Sequence, residues 1–257
     1  MKIALIGFGG MGKTVHRIAV ERGHSVPVIV DPKASEATFQ ELSAEVLQGM
    51  DMVIDFSLGS AVLENAKICR DAGVNLVIGT TGWYDKMEEV RAVVEGGAAG
   101  GTEMETQPAV GFLWSSNFSI GVNMYFKIVQ EAAKLVNRFD EYDVWGHEIH
   151  HYNKADSPSG TAKTLEKILL SNIERKTAVV EEKLSRRREP NEIHFSSVRG
   201  GAVNFAHTIG LDSEADTITI SHAARNRDGY ALGAVKAAEW LYGKKGFFGM
   251  EDFLKFN

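Results

Sequence analysis

What this sequence lacks narrows it first. Among 257 residues there is one cysteine, Cys69. A single thiol cannot close an internal disulfide, which fits a reducing compartment and points to the cytoplasm. Cys69 lies in a helix-like stretch from Glu64 to Gly73, where a buried thiol is expected rather than a nucleophile. Long apolar runs are missing too. The opening run, Ile3 to Ile6, is broken by glycines and too short for a signal peptide, and none later approaches the ~20 residues a membrane span needs. Positive charge is in the minority, 28 Lys and Arg against 34 Asp and Glu for a net charge of −6. That balance argues against nucleic acid as a main partner. An anionic small molecule would have to be drawn by local groups, not by the overall field.

What is present is concentrated between Gly146 and Ala162, reading G-H-E-I-H-H-Y-N-K-A-D-S-P-S-G-T-A. Three histidines, a glutamate, a lysine and an aspartate precede a strong helix start at Ser159, Gly160 and Thr161. Behind it Leu165, Ile168, Leu169 and Leu170 repeat at helical spacing. The first free N–H groups of such a helix form an anion site. Imidazole and ammonium groups just upstream would place proton donors and positive charge beside it. The stretch reads as a reaction centre for a small anionic substrate.

His147, Glu148 and His151 also match H-E-x-x-H, the zinc-peptidase pattern. That pattern works only on a helix, where residues four apart lie roughly 6 Å from each other. Val144, Trp145, Ile149 and Tyr152 favour a strand instead, and Gly146 interrupts any helical run. On a strand His147 and His151 stand about 13 Å apart at ~3.3 Å per residue, too far to share an ion. No metal is expected. A polar strand end with solvated histidines is the plainer alternative.

The chain begins with an apolar run to Ile6, then Gly7-Phe8-Gly9-Gly10-Met11-Gly12. Val15, Ile18 and Ala19 follow at helical spacing, and Ser25 to Val30 gives a second strand ending at Asp31. Strand, G-x-G-x-x-G, helix, strand and acid together predict a dinucleotide site, in which the acid suits a ribose diol. The alternation continues with strands at Met52 to Phe56 and from Leu76 to Ile78, and with helices over Ala61 to Ala72 and Lys86 to Val94. A parallel sheet follows, with ligands at the carboxyl ends of its strands. Gly79-Thr80-Thr81-Gly82 stands at such an end, where its backbone would line the nicotinamide; a plain capped turn explains it equally well. Gly96 to Gly101 reads as a surface loop. Gly111 to Trp114 is strand-like, and Asn123 to Val136 is a helix whose stripe of Phe126, Ile128, Val129, Ala132 and Leu135 core packing explains.

Glu181 to Pro190 mixes Lys183 and Arg186 to Arg188 with acids and reads as a solvated loop. Ile193 to Val198, Val203 to Ile209 and Thr217 to His222 are strands with no helix between them, a change of pattern that suggests a second, α+β domain. Ala231 to Leu241 returns to helix. The crossings fall near 120 and 228. The expected architecture is thus an α/β Rossmann-type parallel-sheet domain, 1–120 with 228–257, and an α+β substrate and oligomerisation domain, 121–227.

Taken together, G-F-G-G-M-G at 7–12, D-F-S at 55–57, G-T-T-G at 79–82, N-F-S at 117–119 and E-I-H-H-Y-N-K-A-D-S-P-S-G-T-A at 148–162 resemble dihydrodipicolinate reductases over nearly the whole chain. The resemblance implies reduction of 4-hydroxy-tetrahydrodipicolinate, a small cyclic dicarboxylate, by NADH or NADPH with loss of water, in lysine and diaminopimelate biosynthesis. It implies a cytoplasmic homotetramer with His150 as acid/base and Lys154 as proton donor. Substrate contacts are implied for His151, Lys154, Ser159, Gly160 and Thr161. Cofactor contacts are implied for Gly7, Phe8, Gly9, Gly10, Met11, Gly12, Asp31, Lys33, Gly79, Thr80, Thr81, Ser115, Ser116, Asn117 and Phe118. Two stretches depart from the pattern. Asp31 is followed by Pro32 and Lys33 rather than by an immediate arginine, and Met104 to Val110 does not map onto it. Arg227 matches a family arginine near the site, with Arg225 a rival. A dinucleotide sensor without turnover would leave His150 and Lys154 without a task.

Overall fold

The structure, a computed structural model, describes residues 1–96 and 110–255. Residues 97–101 of the expected surface loop, and 104–109 of the stretch that did not map, lie outside them. The chain forms two compact units, Met1–Ile120 with Arg227–Asn257, and Gly121–Asn226.

The first unit is a six-stranded sheet, every pair parallel. Its strands are β1 (Lys2–Ile6), β2 (Ser25–Val30), β3 (Met52–Asp55), β4 (Asn75–Ile78), β5 (Gly111–Trp114) and, from the end of the chain, β11 (Gly246–Phe248). They stand in the order β11-β5-β4-β3-β1-β2. Successive side chains of a strand face opposite ways, so β1 feeds two cores. Ile3 and Leu5 pack with α1 (Gly10–Glu21) and α6 (Asp228–Leu241), while Ala4 and Ile6 pack with α2 (Val62–Ala72) and α3 (Met87–Glu95). Helices on both faces are what buried, continuous apolar strands require. α6 starts just after the second unit ends and buries Ala231, Ala234, Val235, Ala237, Ala238 and Leu241. The edge strand β11 and the short α7 (Met250–Leu254) carry too few residues to show a period.

The second unit packs α4 (Ile120–Val136) and α5 (Gly160–Asn172) with a five-stranded mixed sheet, ordered β10-β9-β6-β8-β7. β6 (Asp143–His150) pairs antiparallel with β9 (Phe205–Asp212) and parallel with β8 (Glu192–Arg199). β7 (Ala178–Val180) and β10 (Thr217–Ala224) lie at the edges. The parallel pairing of β6 with β8 needs a crossover, and α5 lies within that connection. One expectation fails here. Along α4 the buried positions are Val122, Tyr125, Val129, Ala133 and Val136, whereas Ile128 and Leu135 are 51% and 59% exposed. The buried stripe is rotated from the expected one, leaving a row of Met124, Ile128 and Leu135 uncovered by the described residues.

Candidate active site

In the first unit the glycines between β1 and α1 differ in what a side chain at each would meet. Gly7 has φ +85°, a left-handed conformation that side chains disfavour, and a Cβ there would lie 2.6 Å from the Phe56 carbonyl oxygen. A Cβ on Gly12 would lie 2.1 Å from the Gly7 oxygen, so this glycine lets the helix close on the strand. A Cβ on Gly9 would meet nothing within 4 Å. The space a side chain would fill is open above the N-terminus of α1, where no side chain caps the helix. These are the residues and the geometry a dinucleotide phosphate needs. Arg227 adds a charge that the sequence left ambiguous: its Nη1 would be 3.1 Å from a Cβ on Gly10, whereas Arg225 belongs to the second unit.

Asp31 follows the last residue of β2. Its carboxylate accepts N–H groups from Phe8 (2.7 Å), Lys33 (2.8 Å) and Ala34 (3.0 Å). Those bonds, led by the one from Phe8, hold it below the usual carboxylate range, so it stays ionised. Lys33 is exposed. Phe8 and Phe118 are core side chains, and only their backbones are left to face a ligand. Met11 is half-buried against the same core. Thr80 is buried, with its hydroxyl 3.3 Å from Asp55 Oδ1 and its carbonyl accepting the Trp83 indole N–H. Gly79 lies under the Phe56 ring, and Thr81 is exposed at the tip of the turn. Ser115 bonds Asn117 through its hydroxyl, and Asn117 Oδ1 accepts the Ser119 N–H, which shapes the turn after β5; Ser116 is exposed.

The second unit holds the histidine-rich stretch. β6 is a strand through His150 and ends there, which lets consecutive His150 and His151 escape strict alternation. Its inward face carries Val144, Gly146, Glu148 and His150. Strand register completes the cluster. Glu148 stands opposite His207 on β9 and Ser197 on β8, and His150 stands opposite Phe205 and Arg199. Glu148 is fully buried. Its Oε1 accepts the Ser159 N–H (3.0 Å), the Ser197 hydroxyl (2.8 Å) and the Arg199 Nη2 (2.8 Å). Its Oε2 accepts the Ser159 hydroxyl and lies 3.1 Å from His207 Nε2. Burial alone would raise this carboxyl, but the bonds from His207, Ser159, Arg199 and Ser197 outweigh it and hold it well below the usual range.

His150 is 6% exposed, with its ring stacked on Phe205 at 5.6 Å and edge-on to His207 at 5.3 Å. Its Nε2 lies 3.2 Å from Glu148 Oε2 but out of line, so it makes no hydrogen bond. Burial pushes the imidazole down to about 4, against the pull of Glu148. Lys154 donates to both oxygens of Asp156, at 2.7 and 2.9 Å. Ser159 caps α5, accepting the Ala162 N–H while its own hydroxyl goes to Glu148, so that hydroxyl is committed within the protein. Gly160 is exposed, with open space where a Cβ would be, and Thr161 is half-buried beside it. The α5 N-terminus therefore offers its N–H groups and macrodipole to an anion. Glu148, His150 and His207 also offer ligand atoms within 4.8 Å of one another, a spacing a metal can use. Arg199, however, already meets the carboxylate's charge.

The sequence does not reveal Glu148, Arg199 and His207 as one group. The period of two along β6 pairs Glu148 with His150, but the partners on β8 and β9 depend on register, which one strand does not encode.

Residues 1–118 and 121–254 match the families described as dihydrodipicolinate reductase, N-terminus and C-terminus. A 4-hydroxy-tetrahydrodipicolinate reductase from Christiangramia forsetii is 35% identical, over 99% of this chain and 98% of its own. One from Acinetobacter baumannii is 32% identical, over 100% and 97%. Among solved structures, a dipicolinate-bound dihydrodipicolinate reductase from Paenisporosarcina sp. TG-14 shares the fold with a TM-score of 0.76 at 22% identity, over 98% of both chains.

Proposed function

The chain belongs to the dihydrodipicolinate reductase family, and from that premise we propose how its residues reduce 4-hydroxy-tetrahydrodipicolinate to tetrahydrodipicolinate, with loss of water, in lysine and diaminopimelate biosynthesis. The observation that carries the reading is the end of β6. The His150 imidazole and the Lys154 ammonium lie just ahead of the open N-terminus of α5, an arrangement suited to a dicarboxylate that must receive a proton.

NADH or NADPH is held by Gly7 to Gly12 and Asp31, with Arg227 near the phosphates and the 79–81 and 115–118 turns at the strand ends; when bound, it supplies a hydride. Gly160 and Thr161 take one substrate carboxylate through their N–H groups, and His151 adds a contact. Lys154 leaves Asp156 and delivers a proton from Nζ. Burial opposes the charge of His150 and keeps it neutral at pH 7. Two carboxylates nearby would favour the imidazolium, so the substrate itself readies His150 to hold a proton. No described helix is long and apolar enough to cross a membrane. The one cysteine, Cys69, is buried and free, which supports a cytoplasmic setting. The exposed Met124, Ile128 and Leu135 support assembly into a homotetramer.

The test is consumption of NADH or NADPH with 4-hydroxy-tetrahydrodipicolinate. His150→Gln and Lys154→Ala should each lower kcat by roughly 10²–10⁴, the range of general acid–base catalysis, while cofactor KM barely moves. A His150→Gln protein with near-normal kcat would sink the assignment.

A further inference from the structure

Glu148 touches more of the second unit's site than any residue assigned to the chemistry, yet the reaction as described gives it no task. It shares a strand face with His150, two positions away, and reaches Ser159 at the α5 N-terminus. One carboxylate thus links the acid/base group to the helix end that takes a substrate carboxylate. A carboxylate has about four lone-pair sites. Two contacts from Ser159 and one each from Ser197, Arg199 and His207 more than fill them. That crowding explains why His150 Nε2, though 3.2 Å from Oε2, is out of line for a hydrogen bond.

Proximity still decides where the proton of a neutral His150 sits. A ring nitrogen that turned its lone pair toward an anionic oxygen at this distance would be repelled, whereas an N–H there is attracted. Among the described residues, the other charged or titratable groups that act most on this ring are His207, Lys154 and Arg199. Each is a cation or an edge-on imidazole, and none supplies a negative charge to draw the proton to Nδ1. The carboxylate itself is held rigidly. Its donors come from two strands and a helix cap, so it cannot swing away without breaking all of those bonds.

Resting on the reductase reading, we propose that Glu148 is a positioning residue: it keeps the His150 proton on Nε2, so that Nδ1 is the nitrogen that exchanges a proton with substrate, and it fixes the α5 N-terminus through Ser159. Both effects require the carboxylate's charge as well as its shape. An amide in its place would turn an N–H toward Arg199 or toward Ser159, and would remove the attraction that sets the tautomer. The logic is that of the buried aspartate in a Ser-His-Asp triad, where loss of the charge leaves the geometry intact but the wrong tautomer.

The experiment has two arms. In the first, the wild-type protein with ¹⁵N-labelled histidine is studied by NMR at pH 7, with the His150 ring identified by its loss in His150→Gln. The Nε2–H tautomer is expected; a dominant Nδ1–H form overturns the proposal. In the second, Glu148→Gln is compared with wild type. A fall in kcat on the order of 10²-fold is expected, with a several-fold rise in KM for the dicarboxylate and no change in KM for NADH or NADPH. A kcat within threefold of wild type, with the tautomer unchanged, overturns the proposal. Glu148→Asp, which keeps the charge but withdraws it by one methylene, should recover part of the kcat; if Glu148→Gln fails to fold, this variant and the wild-type tautomer decide the matter. Absence of turnover in the wild type overturns the reductase reading instead, and the tautomer result then judges Glu148 separately.

Discussion

At the scale of single residues, charge placement makes two predictions. Asp31 stays ionised because three N–H groups hold its carboxylate, and in the proposed cofactor site it would face the adenosine ribose. A 2′-phosphate near 4 Å would be repelled by about 4 kcal/mol at an effective dielectric of 20. Lys33 offsets this only in part, since it is exposed, two positions on and a strongly hydrated point charge on a flexible stem. NADH should therefore be used at least as well as NADPH. The measurement is kcat/KM for both cofactors in wild type and Lys33→Ala at fixed ionic strength; a tenfold NADPH preference that survives Lys33→Ala would show that another residue reads the phosphate. The second prediction concerns Glu166 on α5, buried with Lys163 Nζ at 3.5 Å. Burial first, and then Glu181, raise its carboxyl to about 7. A folded pKa above the unfolded value means that the unfolded chain loses the proton first, so stability falls as pH rises through roughly 4.5 to 7. Glu166→Gln, which mimics the protonated form, should raise Tm at pH 8 and leave it unchanged at pH 4. The gain at pH 8 would be about 1–3 kcal/mol, the free energy of holding this carboxylate ionised in its buried place. Equal melting temperatures at pH 8 would show that Lys163 already neutralises the site.

At the scale of elements, the turn between β1 and α1 separates fold from function within one motif. Gly9→Ala adds a methyl to open space, so Tm should hold while the Kd for NADH rises tenfold or more if the proposed pyrophosphate site takes that space. Gly12→Ala drives a methyl into the Gly7 carbonyl, and the protein should also lose about 1–3 kcal/mol of stability to overpacking. Calorimetry and fluorescence titration of both variants check the contrast; equal Tm losses would refute it. This motif was legible in the sequence because its glycines, helix period and acid are all local. β6 was legible as well, since Val144, Trp145 and Ile149 outweigh the H-E-x-x-H match. The rotated face of α4 was not. Phe126, Ile128 and Leu135 are as apolar as the residues that are buried, and although Asn123, Lys127, Gln130, Glu131 and Lys134 mark one polar face, the apolar arc opposite is too broad to declare which part of it turns inward. Glu148's partners were hidden for a different reason: they arrive by strand register from β8 and β9. Arg188 in the charged loop shows the same limit, being tied to Asp143 and the Glu192 carbonyl rather than free in solvent.

At the scale of the whole molecule, the exposed Met124, Ile128 and Leu135 on α4 and Ile218 on β10 are the apolar surface that the proposed homotetramer would bury. Light scattering should give a mass near four times the 28.1 kDa chain, and Ile128→Asp should lower it; a monomer in the wild type would refute the tetramer. The return of the chain to the first unit has a further consequence, for synthesis. β5 can pair with β4 as soon as both emerge, but its other edge waits for β11, and the face that α6 covers waits for Ala231 to Leu241. The second unit is continuous in sequence and lies between them. At ~5–20 residues per second, a ribosome takes roughly 5–20 s to cross it. For that interval the nascent first unit exposes Ile3, Leu5 and an unpaired strand edge, while the later-made second unit completes its own sheet first. The domain that is written first is therefore finished last, and a ribosome-bound chaperone would find its substrate in the half-built nucleotide fold.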